Sequence, residues 1–319
     1  MESHVLVVGD ACVDLLVGLP DSRSGRSSPG ALGPRIVGGG TGANTAVALA
    51  RLGVGVEFGG AIGDDRYGRW LADDFRRERV GTRALVVRGD AFTSMVVVVV
   101  QESGERHPVL WPPDGWAHTL LRPDDVPDDL VRNARWLHTT GMCLREEPVS
   151  EAVLHAMRKA REWGVPVSLD LNLRIESSGL DERIRRTVGR AIELADVVLG
   201  HAHEEFAPLA GTDDLEKAAS VIADRRRTVV MRRGADGASA FGPDGAVDAR
   251  AFPVTVVNTV GAGDAFDGGF VAARLDGRSV RDALRWGNAV AALKIQGPDA
   301  RALPSRTDVE ALLSADLVR

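Results

Sequence analysis

The stretch Asn258-Thr-Val-Gly-Ala-Gly-Asp-Ala-Phe266 joins an apolar run to a helical pattern through two glycines. The preceding run, Val254 to Val257, is β-branched and predicts a strand. From Ala265 onward, apolar residues recur with the spacing of one helix face. The sequence therefore predicts that a strand, a glycine turn and a helix meet here.

The turn in this stretch has the features of an anion site. Gly261 and Gly263 allow a tight turn, so the amides of Gly261, Ala262 and Gly263 can point together at the helix start. A helix start carries unpaired N–H donors and partial positive charge, which suit a phosphoryl group. Asp264 would lie beside that group and could take a proton from an attacking hydroxyl. A plain capped helix fits the same residues.

Length and composition favour a soluble globular protein. The chain has 319 residues, of which 44% are hydrophobic and 26% charged, enough for one large α/β domain or two smaller ones. The net charge of −6 gives no electrostatic reason to expect nucleic acid or an anionic membrane as a partner.

Two further features predict a cytoplasmic protein. No signal peptide is recognisable, and the longest β-branched run, Val96 to Val100, is too short to span a bilayer. Cys12 and Cys143 lie far apart without the spacing of a zinc site or a disulfide framework, which favours buried thiols.

Predicted strands and helices alternate along most of the chain. This alternation predicts an α/β fold with a mostly parallel central sheet and helices on both faces. The predicted strands are His4 to Gly9, Val56 to Gly63, Arg135 to Thr139, Val165 to Asp170, Asp196 to Leu199, Thr228 to Met231 and Ala238 to Phe241. The predicted helices span about 45–53, 70–80, 149–163, 181–194, 203–224, 264–275 and 280–295, with a last one from Asp308.

Residues 84–111 interrupt this rhythm. Ala84 to Val87, Thr93 to Gln101 and His107 to Trp111 form consecutive strand patterns without a helix, which predicts an antiparallel flap. Residues 20–35 are rich in Pro, Gly, Ser and Arg and predict an unpacked excursion. We therefore expect a single domain over residues 1–319, with a small β-sheet lid formed from about 14–38 and 90–113. The valine run in the flap needs cover on both faces, which favours a homodimer formed through the lid.

Two signatures resemble those of the ribokinase-like, or phosphofructokinase-B type, sugar kinases. The segment from Gly39 to Gly53 resembles the family's N-terminal signature, and Val260 to Phe266 resembles its C-terminal one. The two signatures lie far apart in the chain, and they occur in the same order as in the family. Gly63-Asp-Asp65 and Asp170-Leu-Asn-Leu-Arg174 match intermediate landmarks, so the resemblance covers nearly the whole chain.

The resemblance implies ATP and Mg²⁺ as co-substrates and phosphorylation of a hydroxyl on a small sugar-type acceptor. Carried over by position, Asp264 would be the catalytic base and Gly261 to Gly263 the anion hole. The acceptor would be held by Asp14, Gly39, Gly40 and Asn44. The nucleotide would be bordered by Asn172, Arg174, Arg232, Gly234, Gly237 and Asn288. Glu204 would support Mg²⁺ through water, and Asn258 would border a monovalent-cation site.

Several positions depart from the family pattern. The family has Asn where His201 stands, Thr where Arg232 stands and Asp where Asn258 stands. A neutral amide at 258 predicts a weakened K⁺ site, whereas Arg232 could pair with a nucleotide phosphate. Cys12 and Thr41 replace an Asn and a Lys of ribokinases proper, which argues against ribose as the acceptor.

The sequence also contains partial matches to proteins other than sugar kinases. Gly38, Gly40 and Ala43 satisfy a dinucleotide-binding pattern, but they do not follow the first strand of a βαβ unit. A Walker-type kinase is excluded because none of the chain's lysines, which are Lys159, Lys217 and Lys294, follows a glycine. A nucleoside kinase of the same fold, or a non-catalytic relative that binds a sugar or nucleotide, remains open.

Overall fold

The structure, a computed structural model, describes residues 4–18, 34–100, 106–224, 226–243 and 245–316. It contains a nine-stranded sheet and a separate four-stranded sheet. Within these described ranges, no helix is both long and apolar enough to cross a membrane.

The secondary structure follows the predicted alternation of strands and helices. The strands are β1 (His4–Val8), β2 (Cys12–Gly18), β3 (Arg35–Gly39), β4 (Val56–Gly63), β5 (Gly81–Arg88), β6 (Met95–Val100), β7 (Arg106–Trp111), β8 (Ala134–Thr140), β9 (Val167–Asp170), β10 (Val197–His201), β11 (Thr228–Arg232), β12 (Ala238–Gly242) and β13 (Gly245–Ala249). The helices are α1 (Thr41–Arg51), α2 (Arg66–Arg77), α3 (Asp128–Arg132), α4 (Val149–Glu162), α5 (Ile175–Ser178), α6 (Glu182–Leu194), α7 (Ala207–Ala210), α8 (Leu215–Ile222), α9 (Ala262–Leu275), α10 (Val280–Lys294) and α11 (Arg306–Asp316).

The large sheet has the strand order β13-β12-β11-β10-β9-β8-β1-β4-β5. Every pair from β5 across to β11 is parallel, and β12 and β13 extend the sheet antiparallel to their neighbours. The predicted α/β fold with a mostly parallel sheet is therefore confirmed. The carboxyl ends of the parallel strands meet along one edge, where open α/β sheets bind ligands.

Each face of the large sheet is covered by its own hydrophobic core. Val5 and Val7 of β1 contribute to the core that also includes α1, α9 and α10. Leu6 and Val8 contribute to the opposite core, with α4 and α6. Since successive side chains of a strand point to opposite faces, a continuous apolar run such as β1 is what a parallel sheet covered on both sides requires.

The small sheet has the order β3-β2-β6-β7. Strand β2 pairs antiparallel with β3 and parallel with β6, and β6 pairs antiparallel with β7. These strands fall inside or close to the ranges expected for a lid, 14–38 and 90–113. Residues 19–33 and 101–105, which include most of the excursion expected at 20–35, lie outside the described residues.

Two strand assignments in this part of the chain differ from the expectation. The segment Ala84 to Val87 was expected in the antiparallel flap, but β5 pairs parallel with β4 at the edge of the large sheet. Helix α2 connects these two strands, so they complete an ordinary βαβ unit. Strand β2, at residues 12–18, was not among the individual strands predicted, although the lid was expected from about residue 14.

The prediction of a strand at Val254 to Val257 is wrong. This segment has no strand partner among the described residues, and Val256 and Val257 are 57% and 56% exposed. The amides of Val257 and Asn258 instead donate to the carbonyl oxygen of Ile295, just beyond α10. Strand β13 was not predicted, and α1 begins at Thr41 rather than near residue 45.

Candidate active site

The N-termini of α1 and α9 meet near the carboxyl edge of the large sheet. Asp264, in the first turn of α9, is 5% exposed, and its Oδ2 accepts a hydrogen bond of 2.8 Å from Nδ2 of Asn44 in α1. The sequence placed these two residues in one site, and the structure brings them into direct contact.

Helix α9 starts at a backbone turn that only glycine adopts readily. Gly261 precedes the helix with φ 80°, and no side chain caps this end. The amides of Gly261, Gly263 and Asp264 have no acceptor among the described residues. The Ala262 amide, also expected in the anion hole, instead donates to the Thr259 carbonyl oxygen at 3.0 Å. The open donors of the turn are thus those of Gly261, Gly263 and Asp264.

The surroundings of Asp264 favour a base that titrates near neutral pH. Burial raises the pKa of the Asp264 carboxyl to about 7. The hydrogen bond from Asn44 and the positive charge of Arg232 lower this pKa, whereas the carboxylates of Asp170 and Asp10 raise it. A general base is most effective when its pKa lies close to the working pH.

Helix α1 begins next to Asp264, but its first amides are already bonded. The carboxylate of Asp10, which follows β1, accepts from the Thr41 amide at 2.9 Å and the Gly42 amide at 3.1 Å. It also accepts from the Thr41 hydroxyl at 2.7 Å. Gly40, which precedes the helix with φ 94°, leaves no room for a Cβ, since one would lie 2.6 Å from the Asp10 carbonyl oxygen. Gly40 therefore shapes the backbone of the site.

The expected acceptor residues line a partly polar, largely buried surface. Asp14 lies on β2 opposite Val37 of β3, and a Cβ on Gly39 would lie 2.6 Å from its Oδ1. Gly39 is needed for this close approach. Burial raises the Asp14 pKa to about 6. Oδ1 of Asn44 is buried without a hydrogen-bond partner among the described residues. Unpaired acceptors of this kind suit the hydroxyl groups of a ligand.

Arg232, a candidate for pairing with a nucleotide phosphate, already has acidic partners within the chain. Its guanidinium, at the end of β11, donates to Asp170 and to Asp267, each at 2.6 Å, and lies 3.8 Å from Glu205. It also donates to the Gly263 carbonyl oxygen at 3.4 Å. A buried cation must be paired, and these contacts pair it within the chain. Arg232 therefore links the start of α9 to Asp170 at the end of β9.

The residues after β9 adopt an unusual backbone conformation. Asn172 and Arg174 have φ values of 32° and 50°, in the left-handed region that non-glycine residues rarely occupy. Such backbone strain is typical of functional sites. Both residues lie just beyond Asp170, at the carboxyl edge where the nucleotide was expected.

The remaining nucleotide candidates have structural contacts of their own. The side-chain amide of Asn288 donates to the carbonyl oxygens of Ala249 and Arg250, at 3.0 and 3.1 Å, and so fixes the chain after β13. Gly237, with φ 88°, packs so tightly that a Cβ would lie 2.1 Å from the Ala249 carbonyl oxygen. Gly234, with φ 58°, has open space beside it. These residues shape the segment between β11 and α10.

The two expected cation residues lie in contrasting surroundings. The Glu204 side chain is 63% exposed in a π-helical turn, Ala202–Phe206, so it is accessible to a hydrated ion. Asn258 is buried, with Oδ1 accepting from the Val260 amide at 2.9 Å and Nδ2 donating to the Pro298 carbonyl oxygen at 2.7 Å. In the described part of the chain, no group of three or more His, Cys, Asp or Glu residues could hold a metal by itself.

Four residues of the site were given no role from the sequence. Asp10 and Asp170 follow or end parallel strands, a position where a carboxylate indicates a ligand edge. Asp267 lies three residues after Asp264, on the same helix face. Lys294 interrupts an apolar helix stripe, as a fully buried side chain. The first three could have been found from position alone, and Lys294 from its place on an apolar face.

Comparisons with known proteins cover nearly all of the chain. The family model for pfkB family carbohydrate kinases matches residues 2–307. A probable fructokinase-4 of Arabidopsis thaliana is 31% identical over 315 residues, which cover 95% of either chain. A 5-dehydro-2-deoxygluconokinase of Bacillus subtilis is 28% identical over 282 residues, covering 87% of this chain and 86% of the relative.

A solved structure is similar over the same extent. The aminoimidazole riboside kinase of Salmonella enterica, complexed with aminoimidazole riboside and an ATP analogue, superposes with a TM-score of 0.81 at 28% identity. The superposition covers 98% of this chain and 100% of that one.

Proposed function

Because the chain belongs to the pfkB family of carbohydrate kinases, we propose that it transfers the γ-phosphoryl group of ATP to a hydroxyl of a sugar or sugar-like acceptor. The match to the family model and the similarity to sugar kinases confirm the family and the enzyme class that the two signatures predicted. The observation that carries the proposed mechanism is the buried carboxylate of Asp264, placed beside the open amides of Gly261 and Gly263 and bonded to Asn44.

Asp264 acts as the general base in this mechanism. It takes the proton of the acceptor hydroxyl while that oxygen forms its bond to the γ-phosphorus and the bond from phosphorus to the ADP oxygen breaks. The amides of Gly261 and Gly263, with the partial positive charge of the α9 start, stabilise the negative charge on the phosphoryl oxygens. The proton leaves on Asp264 and the phosphoryl group on the acceptor.

The chain's own groups suit ATP and Mg²⁺ as co-substrates. The open amides at the start of α9 offer donors for phosphate oxygens. Mg²⁺ keeps several waters and binds chiefly through nucleotide phosphates, so an exposed carboxylate such as Glu204 can hold it through water. Asn172 and Arg174, in the strained segment after β9, are the side chains that we expect nearest the nucleotide.

The acceptor is a polyhydroxylated small molecule held by Asp14 and Asn44. The buried Oδ1 of Asn44 has no partner among the described residues and can accept from a ligand hydroxyl, and Gly39 lets the backbone approach the Asp14 carboxylate closely. Relatives are named for fructose and for a dehydro-deoxygluconate, and one similar structure holds aminoimidazole riboside. A sugar or sugar acid is our first choice, and a nucleoside is the alternative.

A direct assay tests both choices. The purified chain would be incubated with ATP, Mg²⁺ and a panel of ketoses, aldoses, sugar acids and nucleosides, while ADP release is measured. We expect one chemical class to stimulate ADP release at least tenfold over the rate without acceptor. If none does so, although a non-hydrolysable ATP analogue binds, the non-catalytic alternative would be favoured.

The small sheet is proposed as a lid that closes on the acceptor and excludes water.

The edge strand of this sheet, β7, exposes Val109, Leu110 and Trp111, with 52%, 58% and 56% of their surfaces accessible. Exposed apolar edges of this kind favour pairing with a second copy, so the predicted homodimer through the lid stays our proposal. A Leu110→Glu protein that remains dimeric in light scattering would contradict it. A cytoplasmic location likewise stays a prediction.

A further inference from the structure

Lys294, the last residue of α10, is fully buried, with 0% of its surface exposed. Its Nζ donates a hydrogen bond of 2.8 Å to the backbone carbonyl oxygen of Asn258. Burying an ammonium group costs free energy unless its charge and its donors are compensated. A lysine at such a position therefore calls for an explanation beyond packing.

The carbonyl that Lys294 holds belongs to the segment leading into the anion turn. The amides of Val257 and Asn258 donate to the Ile295 carbonyl oxygen at 2.8 and 3.0 Å. Three residues after Asn258, Gly261 packs so close to Ala300 that a Cβ would lie 3.1 Å from the Ala300 Cβ. Residues 257–261 thus pack against residues 295–300, the segment that follows α10. Lys294 lies at the start of this packed pair of segments.

We propose that Lys294 is a positioning residue for phosphoryl transfer, whose ammonium serves as a built-in cation beside the turn that opens α9. It fixes the Asn258 carbonyl and thereby the segment that presents the Gly261 amide. It also places an ammonium group beside the segment that leads into the anion turn, where electrostatic stabilisation is most effective when it is preorganised. The inference rests on the proposed function of that turn.

The proposal sharpens the expectation for Asn258. A neutral amide there predicts a weakened K⁺ site, and both polar atoms of the amide are bonded within the chain. An ammonium group and K⁺ carry the same charge and are held by similar carbonyl oxygens. If Lys294 already supplies that charge, a dissolved monovalent cation has nothing to add. We therefore expect activity to be independent of K⁺, rather than weakly activated by it.

The first test compares cations and variants in the kinase assay. At fixed ionic strength, exchange of K⁺ for choline should change the wild-type rate less than twofold. Lys294→Ala and Lys294→Met should each lower kcat by about 10- to 100-fold, the range expected when a reacting group is misplaced. KM for the acceptor should stay near its wild-type value. Lys217→Ala, at a side chain that is 75% exposed, is the control and should not change kcat.

Small cations separate a role for the charge from a role in packing. Ammonium or methylammonium can enter the space left in Lys294→Ala and should restore at least a third of its lost kcat. The Met side chain fills that space, so the Lys294→Met protein should not be restored. A Lys294→Met protein with near-normal turnover, or saturable K⁺ activation of the wild type, would overturn the proposal.

Thermal unfolding provides a readout that needs no acceptor. At equal ionic strength, ammonium should raise the Tm of Lys294→Ala relative to choline, and leave the wild type and Lys294→Met unchanged. Failure of this rescue would count against Lys294 even if the panel identifies an acceptor. Conversely, successful rescue without any active acceptor would support the cation site and count against the proposed reaction. If Lys294→Ala does not fold, the K⁺ dependence of the wild type and the rate of Lys294→Met decide.

Discussion

The N-termini of α1 and α9 lie side by side, and both follow a glycine with positive φ that provides no side-chain cap. At α1, the carboxylate of Asp10 already accepts from the first amides. At α9, the amides of Gly261 and Gly263 have no acceptor among the described residues, and the carboxyl of Asp264 stands beside them. One helix start is satisfied by the chain itself, and the other is left open for a ligand.

The same local motif, a glycine followed by a helix start, is used in two ways: at α1 it stabilises the fold, and at α9 it leaves donors for a ligand. A helix start needs an anion or acceptor for its free N–H groups. Asp10 supplies it permanently, which holds α1 and Asn44 in place. In the proposed mechanism, the α9 start obtains it from a bound phosphoryl group, which the open amides of the turn receive. Changes at the two starts should therefore have effects of different kinds.

The largest effect is expected from Asp264→Asn. The variant keeps the size of the side chain and can still bond to Asn44, but it cannot accept the acceptor's proton. Loss of a positioned general base costs about 10²- to 10⁴-fold in kcat. ATP binding and the folded state should be retained, as judged by calorimetry and thermal unfolding. An Asp264→Asn protein with near-normal turnover would exclude the proposed base.

The next effect concerns the turn itself. Gly261→Ala places a Cβ 3.1 Å from Ala300 at φ 80°, so the turn must shift and its amide moves with it. We expect kcat to fall by about 10- to 100-fold, because misplacing a group in the site is that costly. Gly277→Ala, at the other end of α9 with φ 76° and nothing within 4 Å, carries a similar backbone strain. Gly277→Ala should lose stability but keep kcat, and equal kcat losses would contradict an open anion turn.

Much of this arrangement was predictable from the sequence, because it depends on local patterns. The alternation of strands and helices predicted the parallel sheet, and the glycine turn predicted the contact region in which Asp264 meets Asn44. The run Val254 to Val257 shows the limit of such patterns. Its β-branched residues favour a strand, but the backbone hydrogen bonds of Val257 and Asn258 go to Ile295, a partner that only tertiary structure supplies.

Long-range pairing explains the other parts of the site that the sequence left open. Arg232 was considered as a partner for a nucleotide phosphate, and the sequence did not reveal that Asp170 and Asp267, from two other elements, hold it. Neither partner is near it in sequence. In the same way, the acceptor for the α1 amides is Asp10, which precedes the whole excursion between β2 and β3. Such partnerships depend on topology, which periodicity does not specify.

The pH dependence provides a third prediction. Because the Asp264 pKa is raised to about 7 and the base must be ionised, kcat/KM should fall below pH 7, tending towards tenfold per pH unit.

The free energy of unfolding depends on the same pKa, but it changes with pH in the opposite direction to kcat/KM. A carboxyl whose pKa rises from 3.8 to about 7 on folding stabilises the protein at low pH, and this contribution is lost as the pH rises through that range. The wild type should therefore lose stability relative to Asp264→Asn as the pH rises from 4 to 8, in urea unfolding. A constant difference would contradict burial as the cause.

The smallest effect is expected at the satisfied helix start. Asp10→Asn places an NH₂ group among donors, so one of the bonds from Thr41 or Gly42 is lost. Loss of a helix cap costs about 0.5–2 kcal/mol of unfolding free energy, which urea unfolding would measure. The substitution also removes a negative charge that raises the Asp264 pKa, so the acidic limb of kcat/KM should move to lower pH.

Asp181→Asn is the matched control for that last change. Asp181 caps α6 by accepting from the Ile184 amide at 2.8 Å, and its carboxylate does not contribute to the Asp264 pKa shift. Asp181→Asn should lose less stability than Asp10→Asn, because the Asn oxygen can still accept from the Ile184 amide and only the negative charge at the helix start is removed. Only Asp10→Asn should move the acidic limb, since only Asp10 acts on the base as well as on a helix. If the limb moves equally in both, or in neither, the two helix starts are not coupled through charge, and Asp10 is a cap alone.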